Sequence, residues 1–413
     1  MRPETLEILR CPYCGGRLEL VEDMANVLEA GAILEGILGC HCCLFPVVGG
    51  IPVLHLQPSA VTAREAIEAG ESDRAFRALV SSDEGKADRF MEVASNGDAT
   101  FRELAETLGE ELEGGYFLYR FSDPSFVTAS AVVRAVGGTA LRGGGRAIDL
   151  CGGSGHLTRV LLEISEPAPV VADLYFAKLW LAARYVAPGC EPICCDGNAP
   201  LPFARGSFGF ALCADAFMYI WTKRQMVGEM ERLVAGDPSG AVVITHAHNQ
   251  HVWSASHGNP LPPEGYRALF ESVEPRLFAE SKLLDDVVAG GPLDLSRRDD
   301  AAALAEQEAV TIVAARNADA WRAHPLATRE PIPGELRLNP LYALEELEMG
   351  VRMRLAFPSE DYEDEYGACR RYLPEELTLD GDTVAAVRDG VRTPQVRELL
   401  RKRIVLDLPE RYY

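Results

Sequence analysis

The sequence predicts an α/β fold built around a mostly parallel sheet, and three observations predict it. First, Arg146 to Val160, RAIDLCGGSGHLTRV, reads as a short buried strand, a turn carrying Gly152, Gly153 and Gly155, and a helix with Leu157, Val160 and Leu161 at helical spacing. Such a unit brings backbone N–H groups and a helix N-terminus towards a nucleotide-like ligand. Taken alone it is equally a tight strand-to-helix connection. Second, strand patterns at 146–150, 169–173, 191–195, 208–213 and 240–246 alternate with helical patterns near 155–164, 176–186 and 222–235. That alternation implies parallel pairing through right-handed crossovers. Third, acids close three successive strands: Asp149, Asp173 and Asp196. Ligands in open α/β sheets bind beyond the carboxyl ends of the strands, where these acids fall. Asp149 suits a cationic group better than a pyrophosphate. Asp173 is placed for a pair of ribose hydroxyls, and Asp196, followed by Gly197, for an adenine amino group.

At 413 residues the chain has room for two or three domains with ample core. Its net charge of −22 argues against nonspecific grip on nucleic acid, without excluding a local basic groove. No apolar run reaches bilayer length, and the first residues, MRPETLEILRCPYC, lack a secretory apolar core. Eleven cysteines without an export signal fit a reducing cytoplasm.

Residues 1–57 form a separate small module. Cys11-Pro-Tyr-Cys14 and Cys40-His-Cys-Cys43 are two C-x-x-C knuckles, and four thiolates complete a tetrahedral zinc site. A module this short has too little core to stand alone, so a metal staple is physically reasonable. His41 and Cys42 lie inside the second knuckle and compete; Cys40 and Cys43 keep the C-x-x-C geometry and are the expected ligands, with Cys11 and Cys14. A redox role for Cys11 and Cys14 is the weaker alternative, since no thioredoxin-like pattern surrounds them.

Residues 58–139 are expected to form a helical linker or lid. Ala63 to Leu79 and Phe101 to Leu112 carry apolar residues at helical spacing, with a turn at Ser95-Asn-Gly-Asp98, and Phe126 to Val136 is a further helix. Tyr116 to Phe121 is aromatic and contains Arg120. It is either a lid with Arg120 over the ligand or an ordinary core helix with a surface arginine.

The strand-end segments after the fourth and fifth strands hold Asp215 and the cluster His246, His248, His251 and His257, four of the eight histidines. Imidazoles near neutral pKa can take a proton from an attacking hydroxyl or amine, so His246 and His248 are the catalytic candidates. They are equally polar loop groups or simple substrate contacts. The His-x-His spacing also suits a metal, but the sequence supplies no clear third ligand. Beyond Pro260, a helix near Tyr266–Ser272 and strands at 276–281 and 310–315 complete a seven-stranded sheet, with an insert at 286–308 containing a helix near 298–308. Residues 317–335, with Pro325, Pro331 and Pro333, read as a linker. From 336 an α+β extension follows. Its acidic run, Glu360 to Glu365, is either a solvated face or a device that selects a cationic acceptor.

DLCGGSG, VVADLYFAKLWLAARY, CCDGNAPLPFARGSFGFALCADAF and EMERL, in that order, resemble the class I S-adenosylmethionine-dependent methyltransferases, most nearly their ubiquinone-biosynthesis-like branch. The resemblance covers about residues 140–250. It implies a Rossmann-like seven-stranded methyltransferase sheet. Asp149, Gly153 and Gly155 would then hold the methionine end of S-adenosylmethionine, Asp173 the ribose, and Asp196 and Gly197 the adenine; Cys151, Leu174 and Asp215 complete the expected cofactor contacts. Glu229 and Arg232 match a Glu-x-x-Arg pair of the family. Cys151 stands where the family usually has its first glycine, Gly209 where an Asp usually follows Phe, and Gly236-Asp-Pro-Ser-Gly240 replaces a Lys-Pro-Gly-Gly turn. LEILRCPYCGGRLEL with CHCCLFPVVGGIPVLHL resembles a second family, the small zinc-ribbon activator subunit of tRNA and release-factor methyltransferases.

The expected architecture is therefore a zinc ribbon over 1–57, a helical linker or lid over 58–139, a cofactor-binding methyltransferase domain over 140–316 and a C-terminal α+β extension of unknown role over 317–413. The expected function is methyl transfer from S-adenosylmethionine to a small-molecule acceptor, plausibly in specialised metabolism. The partners expected are that acceptor, no membrane, no bulk nucleic acid, and a homo-oligomer as an open possibility. The rival functions are an RNA or protein methyltransferase carrying its zinc activator in cis, a non-catalytic binding protein on the same fold, and a different cofactor-supported reaction such as cyclisation.

Overall fold

The computed structural model describes residues 1–22, 24, 26–109, 114–254, 258–326 and 334–413. His257, Pro331, Pro333 and the end of the helix expected over 101–112 lie outside the described residues.

Seven strands make the central sheet: β1 Ala147–Leu150, β2 Val170–Asp173, β3 Glu191–Cys194, β4 Phe210–Ala214, β5 Ala241–His248, β6 Arg276–Ala279 and β7 Ala309–Ala315. Their order across the sheet is β6-β7-β5-β4-β1-β2-β3. Strands β1 to β5 pair in parallel. The strands read as parallel from the sequence, β1 to β5, are so, while β7 inserts antiparallel between β5 and β6. The physical reason lies in the connection. After β6 the chain leaves through a helix, Glu280–Val288, and returns through a short helix, Ala301–Ala305, to the end of the sheet where β5 finishes. There Asn249, just past β5, donates from Nδ2 to the carbonyls of Leu304, Ala305 and Gln307. The strand β7 therefore starts where β6 ended.

Both faces of the sheet are covered. Ile148, Leu150, Val170 and Ala172 face a core shared with the ribbon's Leu9, Leu38 and Phe45 and with Met226, Met230 and Leu233 of the helix Lys223–Leu233. Ala147 and Val171 face the opposite core, shared with the helices of the 58–139 region. Those helices are Pro58–Glu68, Ser72–Val80, Glu84–Ala94, Phe101–Leu108, Gly114–Tyr119 and Pro124–Val132. The single helix expected over 63–79 is broken at Gly70, whose φ of +74° only glycine adopts readily. The helix Glu84–Ala94 was not anticipated; Asp83 caps it by accepting from the N–H groups of Gly85 and Lys86.

The N-terminal module is an antiparallel sheet of Glu19–Leu20, Val27–Glu29, Ala32–Gly39, Leu44–Val48 and Ile51–Pro52. It docks on the outer edge of β3. Leu54 N–H donates to Cys194 carbonyl at 2.7 Å, and Val53 bridges Cys194 in parallel. Arg10 N–H donates to Pro202 carbonyl and Ala204 N–H to Ile8 carbonyl, at 2.9 and 2.8 Å. An edge strand with open backbone groups is thereby capped within one chain.

The C-terminal extension is α+β. Glu335–Leu338 pairs with Val405–Leu408, and Tyr342–Leu347, Gly350–Leu355 and Glu376–Asp380 form a three-stranded sheet with the helices Glu360–Tyr366, Gly381–Arg388 and Pro394–Arg401. Among the described residues, the first part of the stretch read as a linker packs on the rest of the chain. Within the stretch read as one, Ala323–His324 pairs with Leu293–Asp294, and Trp321 stacks under the Arg276 guanidinium at 4.1 Å. At the far end Tyr412 stacks on Phe101 and is fully buried.

Candidate functional site

The glycine turn after β1 has the conformation its residues dictate. Gly153 and Gly155 adopt φ of +52° and +83°, and a Cβ on Gly155 would stand 2.9 Å from that of Ala182. Gly152 closes over the buried Asp149, whose carboxyl carbon lies 2.8 Å from where a Cβ would be. Asp149 Oδ2 accepts from Thr158 Oγ1 at 2.7 Å, and burial pushes its carboxyl up to about 7. Asp173 braces the turn from the next strand, accepting from the N–H groups of Gly153 and Tyr175, each at 2.9 Å. Leu174 accepts at its carbonyl from the Cys194 thiol. Asp196, two residues past β3, accepts from Asn198 N–H. Gly197 lets the β1 and β3 loops meet: a Cβ there would be 3.3 Å from Cys151 Sγ and 3.1 Å from Ile220 Cδ1. The structure thus brings Asp149, Cys151, Gly153, Gly155, Asp173, Leu174, Asp196 and Gly197 to the tips of three adjacent strands. A cavity of about 250 Å³ opens beside Asp196, lined by Tyr13, Leu54, His55 and Cys195, so the ribbon forms one wall of it.

Glu229 and Arg232 play a structural part. They pair at 2.7 Å, while Glu229 takes Leu201 N–H and Arg232 donates to the carbonyls of Leu201 and Phe203. Over the glycine turn lies Phe117, 3.3 Å from where a Gly153 Cβ would be and stacked on His156. The aromatic stretch does cover the turn, but Arg120 fits neither sequence-based alternative. It is 4% exposed and ion-paired to Asp215 at 3.0 Å and Asp123 at 3.4 Å. Burial pushes the Asp123 carboxyl up to about 8, against the pull of Arg120. Arg120→Met should leave two buried acids without their cation and cost about 3–5 kcal/mol, read as a lower urea midpoint at unchanged slope.

Asp215 therefore belongs to a second cluster, at the tips of β4 and β5. Two non-glycine residues with positive φ stand here, Asp215 at +53° and His246 at +52°, and a third, Cys151 at +56°, follows β1. Strain of this kind collects at functional sites. The β5 register slips between Ile244 and Ala247, a bulge. It puts Ala247 on the face that Ile244 occupies and turns His246 and His248 off it. His246 Nδ1 lies 2.8 Å from Glu280 Oε2, and its backbone N–H donates to Glu280 Oε1 at 2.6 Å. Burial works against the imidazolium, but the Asp215 and Glu280 carboxylates outweigh it and hold His246 protonated well above its ordinary range.

Glu365 reaches both histidines, 3.3 Å from His246 Nε2 and 2.9 Å from His248 Nε2. It belongs to the helix Glu360–Tyr366, whose Glu360, Asp361, Glu363 and Asp364 are exposed. Most of the acidic run is thus a solvated face, and one acid of it is turned inward. Sequence reasoning missed Glu280, Asp123 and Glu365. A signal for the last existed: Tyr362, Glu365 and Tyr366 share one helical face, and the tyrosines are buried.

In the ribbon, the thiols of Cys11, Cys14, Cys40 and Cys42 lie within 4.8 Å of one another. The sequence-based set has Cys43 in place of Cys42, and Cys43 Sγ stands 3.4 Å from Cys42 Sγ. Cys40 N–H donates to Cys43 carbonyl at 3.0 Å, closing a tight turn. That turn brings Cys42 Sγ to 3.7 Å from Cys11 Sγ and 3.6 Å from Cys40 Sγ. Cys42 N–H also points at Cys40 Sγ. Four converging thiols with an N–H directed at sulfur fit a tetrahedral zinc ion.

No protein-family model matches this sequence, and no curated protein matches it. Among solved structures, the chain is similar to an S-adenosylmethionine-dependent methyltransferase from Thermotoga maritima (16% identity over 50% of this chain and 95% of that one, TM-score 0.34). It is similar to the complex of the Trm112 methyltransferase activator with a methyltransferase from Haloferax volcanii (18%, 44% and 89%, TM-score 0.33). It is also similar to geranyl diphosphate C-methyltransferase from Streptomyces coelicolor, solved with S-adenosyl-L-homocysteine (15%, 42% and 70%, TM-score 0.31). No helix among the described residues is long and apolar enough to cross a membrane.

Proposed function

We propose that the chain is an S-adenosylmethionine-dependent methyltransferase acting on a small-molecule acceptor. The observation that carries this reading is the placement of Asp149, Asp173 and Asp196 at or just beyond the tips of adjacent parallel strands, around a glycine turn with backbone N–H groups. Asp149, with Gly153 and Gly155, would meet the cationic methionine end. Asp173 would turn from its present N–H partners to the ribose, and Asp196 and Gly197 would take the adenine, with Cys151 and Leu174 alongside. The bound cofactor supplies an electrophilic methyl group. What the chain must add is alignment of the acceptor with it, which orientation can supply. Phe117 covers the turn and excludes water. The acceptor belongs at the tips of β4 and β5, under the helix Glu360–Tyr366, where Asp215, His246 and His248 position it.

The acidity of that end, with Asp215, Glu280 and Glu365 together, repels a phosphate backbone and favours a small acceptor over RNA. The ribbon, pinned by zinc on Cys11, Cys14, Cys40 and Cys42, serves as a built-in support for β3 and the adenine loop. None of the eleven cysteines is paired in a disulfide, which suits a reducing cytoplasm. Calorimetric titration should show S-adenosylmethionine and S-adenosylhomocysteine each binding at one site per chain. Asp173→Ala should weaken both by about 100-fold, the loss of about 2.7 kcal/mol. Absence of binding by either nucleoside to the folded protein would refute the assignment.

A further inference from the structure

We infer that Asp215, His246 and His248, joined by Glu365, form a second metal site that takes a divalent first-row transition cation, separate from the thiol site in the ribbon. One ligand atom from each of Asp215, His246 and His248 can be chosen so that all lie within 4.8 Å of one another. Around them, His248 Nε2 and Glu365 Oε1 are 2.9 Å apart, His246 Nε2 and Glu365 Oε1 3.3 Å, and His246 Nε2 and Asp215 Oδ1 4.0 Å. Two ligands bound to one ion at about 2.1 Å stand about 3.0 Å apart at right angles and about 4.2 Å apart on opposite sides. The observed separations fall in that range.

The orientation of the donors points the same way. His248 is 3% exposed, and its Nε2 is buried without a hydrogen-bond partner although Glu365 is only 2.9 Å away. Two donors this close and yet misaligned are directed at a third point. The other ring nitrogens are tied back as they are in metal-bound histidines, His246 Nδ1 to Glu280 and His248 Nδ1 to Ser254 Oγ at 3.1 Å. Glu280 is itself held by Thr311 Oγ1 at 2.7 Å, and Ser254 Oγ donates to Glu365 Oε2 at 2.9 Å.

Charge completes the case. Asp215, Glu280 and Glu365 are three part-buried carboxylates facing one buried guanidinium, Arg120. A metal ion displaces the proton of an imidazole it binds, and with both imidazoles so ligated two negative charges are left over, which are costly to leave uncompensated in a part-buried site. A divalent ion balances them. Imidazole with carboxylate suits zinc, iron, cobalt, nickel or manganese and disfavours calcium. The sequence offered His-x-His and no third ligand, because Asp215 sits on another strand and Glu365 in the C-terminal extension. The bulge at His246, which costs strain, has its use in aiming both rings at one point. This inference does not depend on the methyl-transfer reading, and its test does not measure methylation.

The test is a titration of the folded protein, its ribbon metal left in place, with Co²⁺ alone, read by visible absorption. One further equivalent per chain should bind, with weak d–d bands and without thiolate-to-cobalt charge transfer. His248→Gln and Glu365→Gln, on separate elements, should each weaken that binding by 10-fold or more while leaving the far-UV dichroism of the metal-free second site unchanged. Cys42→Ser should not affect it. A protein that binds no second equivalent would overturn the site. So would binding that both the His248→Gln and Glu365→Gln proteins retain, or binding that always carries the thiolate signature.

Discussion

Cys42→Ser is expected to purify without zinc and to melt at least about 10 °C below the parent, whereas Cys43→Ser keeps one zinc per chain and melts within a few degrees of it. The size follows from the architecture. A ribbon of some fifty residues has little core of its own, and structural zinc supplies about 10–16 kcal/mol to comparable peptides. About 9 kcal/mol of that lost to the whole protein moves the midpoint by roughly 10 °C. The loss propagates because the ribbon is bonded to the sheet. Leu54 and Arg10 donate to Cys194 and Pro202, and Leu9, Leu38 and Phe45 share a core with β1 and β2. Unpinning the thiols uncovers that core and reopens the edge of β3. Metal content by mass spectrometry and melting by scanning calorimetry on the two variants decide it. Zinc lost from Cys43→Ser and kept by Cys42→Ser would restore the C-x-x-C ligand set and sink the one drawn from the structure.

The same residues show where the sequence was legible. Strands β1 to β5 could be read because each is buried on both faces and ends in a residue with a job at the tip: an acid, a histidine or a glycine-led turn. The observed bounds differ from the expected ones by at most two residues. Between Cys42 and Cys43 the sequence could not decide, because the turn closed by the hydrogen bond from Cys40 N–H to Cys43 carbonyl sets which thiol stands near the other three. The direction of β7 was hidden for a related reason: it depends on where the 286–308 insert returns the chain. The cluster at His246 was half visible. The histidines stood out by their spacing, but their partners Glu280 and Glu365 lie 34 and 119 residues away along the chain. Arg120 was read as lid or surface because nothing local to it announces Asp215, which lies 95 positions further on.

Asp149→Asn is expected to make the cofactor-free protein more stable at pH 8 and to make it nearly blind to S-adenosylmethionine. Burial raises the Asp149 carboxyl from 3.8 to about 7 in the folded chain. Between those values the folded state binds more protons than the unfolded one. Stability contributed by the protonated acid is therefore complete below about pH 4 and is lost as pH rises through about 7. At pH 8 the folded protein carries a buried carboxylate whose hydroxyl partner, Thr158 Oγ1, compensates it only in part. Asparagine keeps the shape beneath Gly152 and the bond from Thr158 but has no charge to bury. It should gain about 1–3 kcal/mol at pH 8 and little near pH 4, so that this part of the pH slope flattens. The wild-type charge becomes favourable only when an ammonium group arrives to meet it, which is what the proposed cofactor brings. With S-adenosylmethionine at 100 times its Kd, the wild type should gain about 2.7 kcal/mol in apparent stability, and the variant almost none. Melting curves of both proteins at pH 5 and pH 8, with and without S-adenosylmethionine, separate the two effects. A variant less stable than the parent at pH 8 without cofactor would show that Asp149 holds the fold rather than waiting for a cation. A variant stabilised by the cofactor as strongly as the parent would remove Asp149 from the binding site.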